Sequence, residues 1–133
     1  MNMGLNGKQT QKNHHFGQSL RHALQGLGAV LRHERNFRFH VLASVAVILA
    51  GWWVTLSRWE WFALGLAIFG VLQSELLNTV IEALVDLLTA KHYAIAAKYA
   101  KDVAAAVVLV AAVFAMVIGL LIFGPHFIDW IKR

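Results

Sequence analysis

The sequence predicts an all-α integral membrane protein: an N-terminal amphipathic helix in the membrane interface, then three transmembrane helices. Three observations carry this. Of 133 residues, 59% are hydrophobic and 14% charged, against roughly 25% charged in a soluble domain. A soluble fold of this size could not hide so much apolar surface, since a chain near 150 residues buries only about 70% of what it exposes unfolded. The basic residues are confined to intervals between apolar runs, as at the cytoplasmic flanks of membrane spans. The same confinement argues against a nucleic-acid partner despite the net charge of +5, because it leaves no basic patch on a soluble body. Zero Cys excludes thiol catalysis and zinc–thiolate sites, and one Pro with 10 Gly excludes collagen-like or Pro-rich material.

Residues 1–15 read as a polar tail without a long apolar stretch, so no cleavable signal sequence is expected ahead of the fold. Phe16, Leu20, Leu24, Leu27 and Leu31 recur every three or four residues, with Arg21, His22, Gln25 and Arg32 between them. That spacing predicts a helix over about 16–34, either lying in the interface or packing on the bundle as a leader. The first uncharged apolar run is 41–56, a little short of the ~20 residues a spanning helix needs. Phe39 and His40 extend it to a span over about 39–56, and Trp52, Trp53, Trp59 and Trp61 fit an aromatic belt. Ser57-Arg58-Trp59-Glu60 reads as a tight turn, leading to a second span over about 61–88. The third span is about 103–123, ended by Gly124-Pro125, so the membrane domain covers 16–125 and 126–133 is a C-terminal tail.

Three spans put the two ends on opposite sides. Lys8, Lys12, Arg21, Arg32, Arg35 and Arg38 precede the first span, and Lys91, Lys98 and Lys101 lie between the second and third. The bias predicts a cytoplasmic N-terminus in a multi-pass membrane protein, with Lys132 and Arg133 a minor exception.

The informative departure from an apolar pattern lies late in the second span. Glu75, Asn78, Glu82 and Asp86 are spaced by 3, 4 and 4 residues, which on a helix makes one narrow stripe. Leu76, Leu77, Val80, Ile81, Leu84 and Val85 take the other faces. Counted from Trp61, Glu75 lies about 21 Å along the helix, inside a ~30 Å hydrocarbon layer, and Glu82 about 10 Å further, near the headgroups. A charge at the centre of a spanning helix costs on the order of 3 kcal/mol. Glu75 therefore needs a partner, a proton or a role, and reads either as a clamp between helices or as a functional carboxylate.

Asn78 likewise reads as an interhelical hydrogen-bonding group or part of a site, and Asp86 as a solvated or supporting carboxylate. Glu34 sits among Arg32, His33, Arg35 and Arg38, where a surface ion pair is the plain alternative. Lys101-Asp102 reads as a charge pair at a helix start or as a phosphate contact beside a carboxylate. The seven His residues give no convincing pair of zinc ligands. Carboxylates from two segments, a Lys and a basic interface suggest chemistry on a lipid headgroup with a Mg²⁺-bound phosphate, since Mg²⁺ commonly takes one or two carboxylates plus substrate phosphates. A carboxylate inside the membrane could accept a proton from a lipid hydroxyl. No G-x-x-x-x-G-K-[ST] loop is present, so the chain is not a P-loop enzyme.

From about Ser19 to Phe123 the chain resembles the small prokaryotic diacylglycerol kinase/undecaprenol kinase family. The resemblance rests on Glu34-Arg35-Asn36-Phe37-Arg38, on the block from Glu75 to Glu82 with Val85-Asp86, and on Ala100-Lys101-Asp102-Val103-Ala104-Ala105. It implies a homotrimeric bundle with composite sites between subunits, ATP as co-substrate, Mg²⁺ as cofactor and a lipid alcohol as acceptor. By position, Glu75 resembles the catalytic base with Asn78 beside it, and Glu34 and Glu82 resemble the metal-linked carboxylates. His22, Glu34, Glu82, Lys101 and Asp102 fall at nucleotide-contacting positions, Asn36, Phe37 and Arg38 at acceptor-side positions, and Asp86 at a supporting one. Phe37-Arg38-Phe39-His40 looks like the undecaprenol kinases of Gram-positive bacteria, which implies undecaprenol as acceptor, with diacylglycerol as the alternative. Lys91-His92-Tyr93 departs from the Glu-Tyr-His-like tripeptide common in that loop. A non-enzymatic holin-like pore or scaffold would also have three spans and a basic flank, but it leaves the polar stripe unexplained. An ion pathway would want polar residues on the other spans, and 41–56 and 103–123 have almost none.

Overall fold

A computed structural model describes residues 16–132, and all of its regular structure is helical: α1 (Phe16–His33), α2 (Arg35–Val54), α3 (Arg58–Thr89) and α4 (Ile95–Ile131). The tail over 1–15, with Lys8, Lys12, His14 and His15, lies outside the described residues, as does Arg133. The chain divides into two units, Met1–His33 and Glu34–Arg133. In the first, α1 has no buried residue, and Leu20, Leu24, Leu27 and Leu31 form an exposed apolar row. In the second, α2, α3 and α4 are each long and apolar enough to cross a membrane.

α2 and α3 are joined by a turn whose chemistry is local. Leu56 N–H donates to the Gly51 carbonyl and Thr55 N–H to that of Trp52, closing α2 with Thr55 left-handed at φ 56°. Gly51 is required there: a Cβ on it would stand 2.8 Å from Leu56 Cδ1 and 2.9 Å from Trp61 Cη2. Ser57 then caps α3. Its Oγ accepts from Glu60 N–H, while Glu60 Oε2 accepts from Ser57 N–H at 2.8 Å. This reciprocal pair satisfies two helix-start donors, so Arg58, Trp59 and Glu60 are the first turn of α3 rather than the expected connecting turn. Buried Leu56, Leu64 and Ile122 make the core, with Val54, Trp61, Ile68, Ile118 and Phe123 packed around them.

α4 departs furthest from expectation. It begins at Ile95, ahead of the apolar run, because Ile95-Ala96-Ala97-Lys98-Tyr99-Ala100 contains good helix formers and Lys98 pairs with Asp102 one turn on. Gly124-Pro125 does not end it: Pro125 lies inside the helix, and 126–131, expected as tail, is helical. Proline withdraws one N–H and crowds one carbonyl, a local loss that a long apolar helix tolerates. Beyond it, His126 Nε2 meets Glu60 Oε1 of α3 at 3.0 Å, tying the late part of α4 to the start of α3.

Candidate active site

α3 is the platform. Glu75 is buried and Asn78, Glu82 and Asp86 are half-buried, so the 3-4-4 stripe is most sheltered at Glu75 and only partly covered beyond it. Leu77, Val80 and Leu84, between its members in sequence, and Leu88 just beyond it are exposed. With α3 starting at Arg58, Glu75 stands about 26 Å along it and Asp86 about 42 Å.

Different helices meet the stripe at different heights. Only 5% of the Glu75 side chain is exposed, and its Oε1 lies 3.1 Å from His40 Nε2 on α2. The hairpin sets that height, because His40 lies 14 residues back from Val54 and Glu75 lies 17 residues on from Arg58. One level along, Asn78 Nδ2 donates to Glu82 Oε1 at 2.9 Å. Near the end of α3, Asp86 Oδ1 accepts from Lys101 Nζ on α4, with both side chains partly exposed. Glu34, the residue capping α2, and Glu82 are both within electrostatic reach of Glu75. Lys101 is within reach of Glu82 as well as Asp86.

One sequence candidate on α4 pairs away from this cluster. Asp102 pairs with Lys98 on an exposed face of α4 and not with its neighbour Lys101. Adjacent helical residues point about 100° apart, so Lys101 turns to α3 while Asp102 turns away. His22 belongs to α1, where its Nδ1 lies 3.3 Å from Gln25 Oε1. Asn36 and Arg38 are exposed, whereas Phe37 is 3% exposed, so its ring contributes packing and not an open face. The residue sequence reasoning passed over as a site candidate is His40. It looked like the edge of an apolar run, yet a buried carboxylate on the next helix was the signal that an imidazole there had a partner to meet.

Among the described residues no three His, Cys, Asp or Glu side chains form a ready-made metal cage. What the site offers is a set of hard oxygen donors. Asn78 Oδ1 is buried without a hydrogen-bond partner among the described residues, although its amide nitrogen is engaged with Glu82. Reversing the amide would set that oxygen against a carboxylate oxygen, so the orphaned acceptor belongs to the arrangement. An unsatisfied carbonyl oxygen beside a carboxylate fits Mg²⁺, which completes its octahedron with water and substrate phosphates.

Comparison with known proteins bears on what this arrangement is for. Residues 21–123 match the family described as prokaryotic diacylglycerol kinase. An undecaprenol kinase of Bacillus subtilis is 50% identical over 110 residues, covering 83% of this chain and 89% of the relative. A diacylglycerol kinase of Synechocystis is 41% identical over 101 residues, covering 76% of this chain and 58% of the longer relative. The matched segment contains α2, α3 and every member of the polar cluster. With its three apolar helices and its buried carboxylate stripe, the chain belongs to the prokaryotic diacylglycerol kinase family of membrane lipid kinases.

Proposed function

We propose that this protein transfers the γ-phosphoryl group of ATP to undecaprenol, giving undecaprenyl phosphate. It acts with Mg²⁺, as a homotrimer, in the bacterial cytoplasmic membrane with its N-terminus inside the cell. The observation that carries the reading is Glu75, a carboxylate buried within a membrane helix on the same face as Glu82. That face joins the depth of a lipid hydroxyl to the height of a soluble nucleotide. The 50% identity with an undecaprenol kinase supports the choice of acceptor.

Glu75 takes the proton of the acceptor hydroxyl as its oxygen bonds to the γ-phosphorus. The bond from that phosphorus to the β,γ-bridging oxygen breaks, and ADP leaves. Phosphoryl transfer of this kind asks the protein mainly for positioning and charge stabilisation. Glu34, Glu82 and Asn78 Oδ1 are the residues that would hold Mg²⁺, and the ion would supply positive charge to offset that of the phosphates. Lys101 turns from Asp86 to a phosphate oxygen, and Asp86 gives it a place to rest between turnovers. Asp102 contacts the nucleotide from α4, Asn36 and Arg38 the acceptor headgroup, and the apolar row of α1 lies in the membrane interface.

The test is purified protein with Mg·ATP, offered undecaprenol and diacylglycerol side by side. Faster labelling of undecaprenol is expected. Faster labelling of diacylglycerol, the acceptor in the name of the Synechocystis relative, overturns the choice of acceptor. Phosphorylation of neither lipid overturns the kinase reading.

A further inference from the structure

The His40–Glu75 pair is not accounted for by the transfer just described, and its setting is specific. It crosses from α2 to α3, and both partners are sheltered, with 20% and 5% of their side chains exposed. The turn presenting His40 is fixed from several sides. Phe37, one turn earlier on the same face, is buried. Ser44 Oγ donates to the His40 carbonyl at 2.7 Å, and the Phe39 ring meets the imidazole edge to face, with centroids 5.5 Å apart. The imidazole is thus presented to Glu75 from a turn of α2 that is itself packed at Phe37.

We propose that His40 is a positioning residue for Glu75: it donates Nε2–H to Oε1 and so leaves Oε2 as the oxygen that receives the acceptor proton. A buried carboxylate needs hydrogen-bond donors, and a free carboxylate rotates about its last torsion. With Oε1 engaged by α2, that rotation stops and one oxygen is committed to the substrate. The inference rests on Glu75 being the base. The transferred proton ends on Oε2, the phosphoryl group on the lipid oxygen, and the imidazole returns unchanged.

The experiment uses the full chain in lipid nanodiscs with Mg·ATP and undecaprenol, comparing the parent with His40→Ala, His40→Gln and Glu75→Gln. Loss of the hydrogen bond is expected to lower kcat by about 10²-fold in His40→Ala, the scale of a misplaced reacting group, with KM for both substrates unchanged. Glutamine places an amide N–H where Nε2 stood, so His40→Gln should recover most of that loss. A raised KM at constant kcat, or no rescue by glutamine, overturns the proposal. Parent-like turnover in His40→Ala beside an inactive Glu75→Gln overturns it while leaving Glu75 as base. Near-normal turnover in Glu75→Gln removes the base and this inference with it. Should His40→Ala fail to assemble, His40→Gln and the ¹⁵N signal of His40 Nε2 decide. Retained turnover and a signal displaced by Glu75→Gln support the pair, and an unmoved signal overturns it.

Discussion

Glu75 is buried beside an imidazole while Glu82, two turns on, is half-open and shares its hydrogen bond with an amide. The two carboxylates should therefore fail differently. Glu75→Gln should keep the assembly but lose about 10²- to 10⁴-fold in turnover, the contribution of a general base; turnover and assembled mass measured together check it. If Glu75 were only a clamp between helices, glutamine would bond nearly as well and activity would survive. Glu34→Gln and Glu82→Gln should instead raise the Mg²⁺ concentration needed for half-maximal turnover, read from a metal titration at fixed ATP. Unchanged metal dependence in both would remove them from the metal site. The stripe was legible in the sequence because its 3-4-4 spacing is a helical signature requiring no tertiary knowledge. The pairings were not, because they depend on which helix lies opposite. Lys101 next to Asp102 suggested a local pair, yet Lys101 bonds to Asp86, fifteen residues away.

At the scale of elements, the sharpest test lies in the turn between α2 and α3. Gly51→Ala would push a methyl group into Leu56 and Trp61, and overpacking of this kind typically destabilises by about 1–3 kcal/mol. Thr55 is β-branched and left-handed, so Thr55→Gly should stabilise, by roughly 0.4–1 kcal/mol if backbone strain dominates. Thermal unfolding of the two variants in detergent should move in opposite directions; a shared direction would contradict this account of the turn. Hydropathy was enough to find three apolar helices but not their ends. Ser57 and Glu60 resemble turn residues until they cap each other, and Pro125 resembles a stop until the helix is seen to continue to Ile131. Ends are decided by individual hydrogen bonds, and composition averages those away.

For the whole molecule, one chain leaves Asn78, Glu82, Asp86 and Lys101 partly uncovered on a surface otherwise rich in exposed Leu, Val and Phe. Polar groups in a membrane face protein or a wet cleft and not lipid, so further copies of the chain should complete the cover. Native mass measurement in mild detergent should find a trimer, and a fully active monomer would sink that expectation. The stripe also has a consequence for how such a chain can vary in length. Every residue from Glu75 to Asp86 is helical, so adding or deleting one residue rotates all that follows by about 100°. A single deletion at Thr79 would turn Asp86 away from Lys101 and Glu82 away from Asn78. The short connector from Ala90 to Ala94 has no such phase to keep, since α3 ends before it and α4 starts after it. Length changes are thus confined to a few positions by rotation alone, and a library of single-residue insertions should show a silent window at 90–94 beside an intolerant one at 75–86.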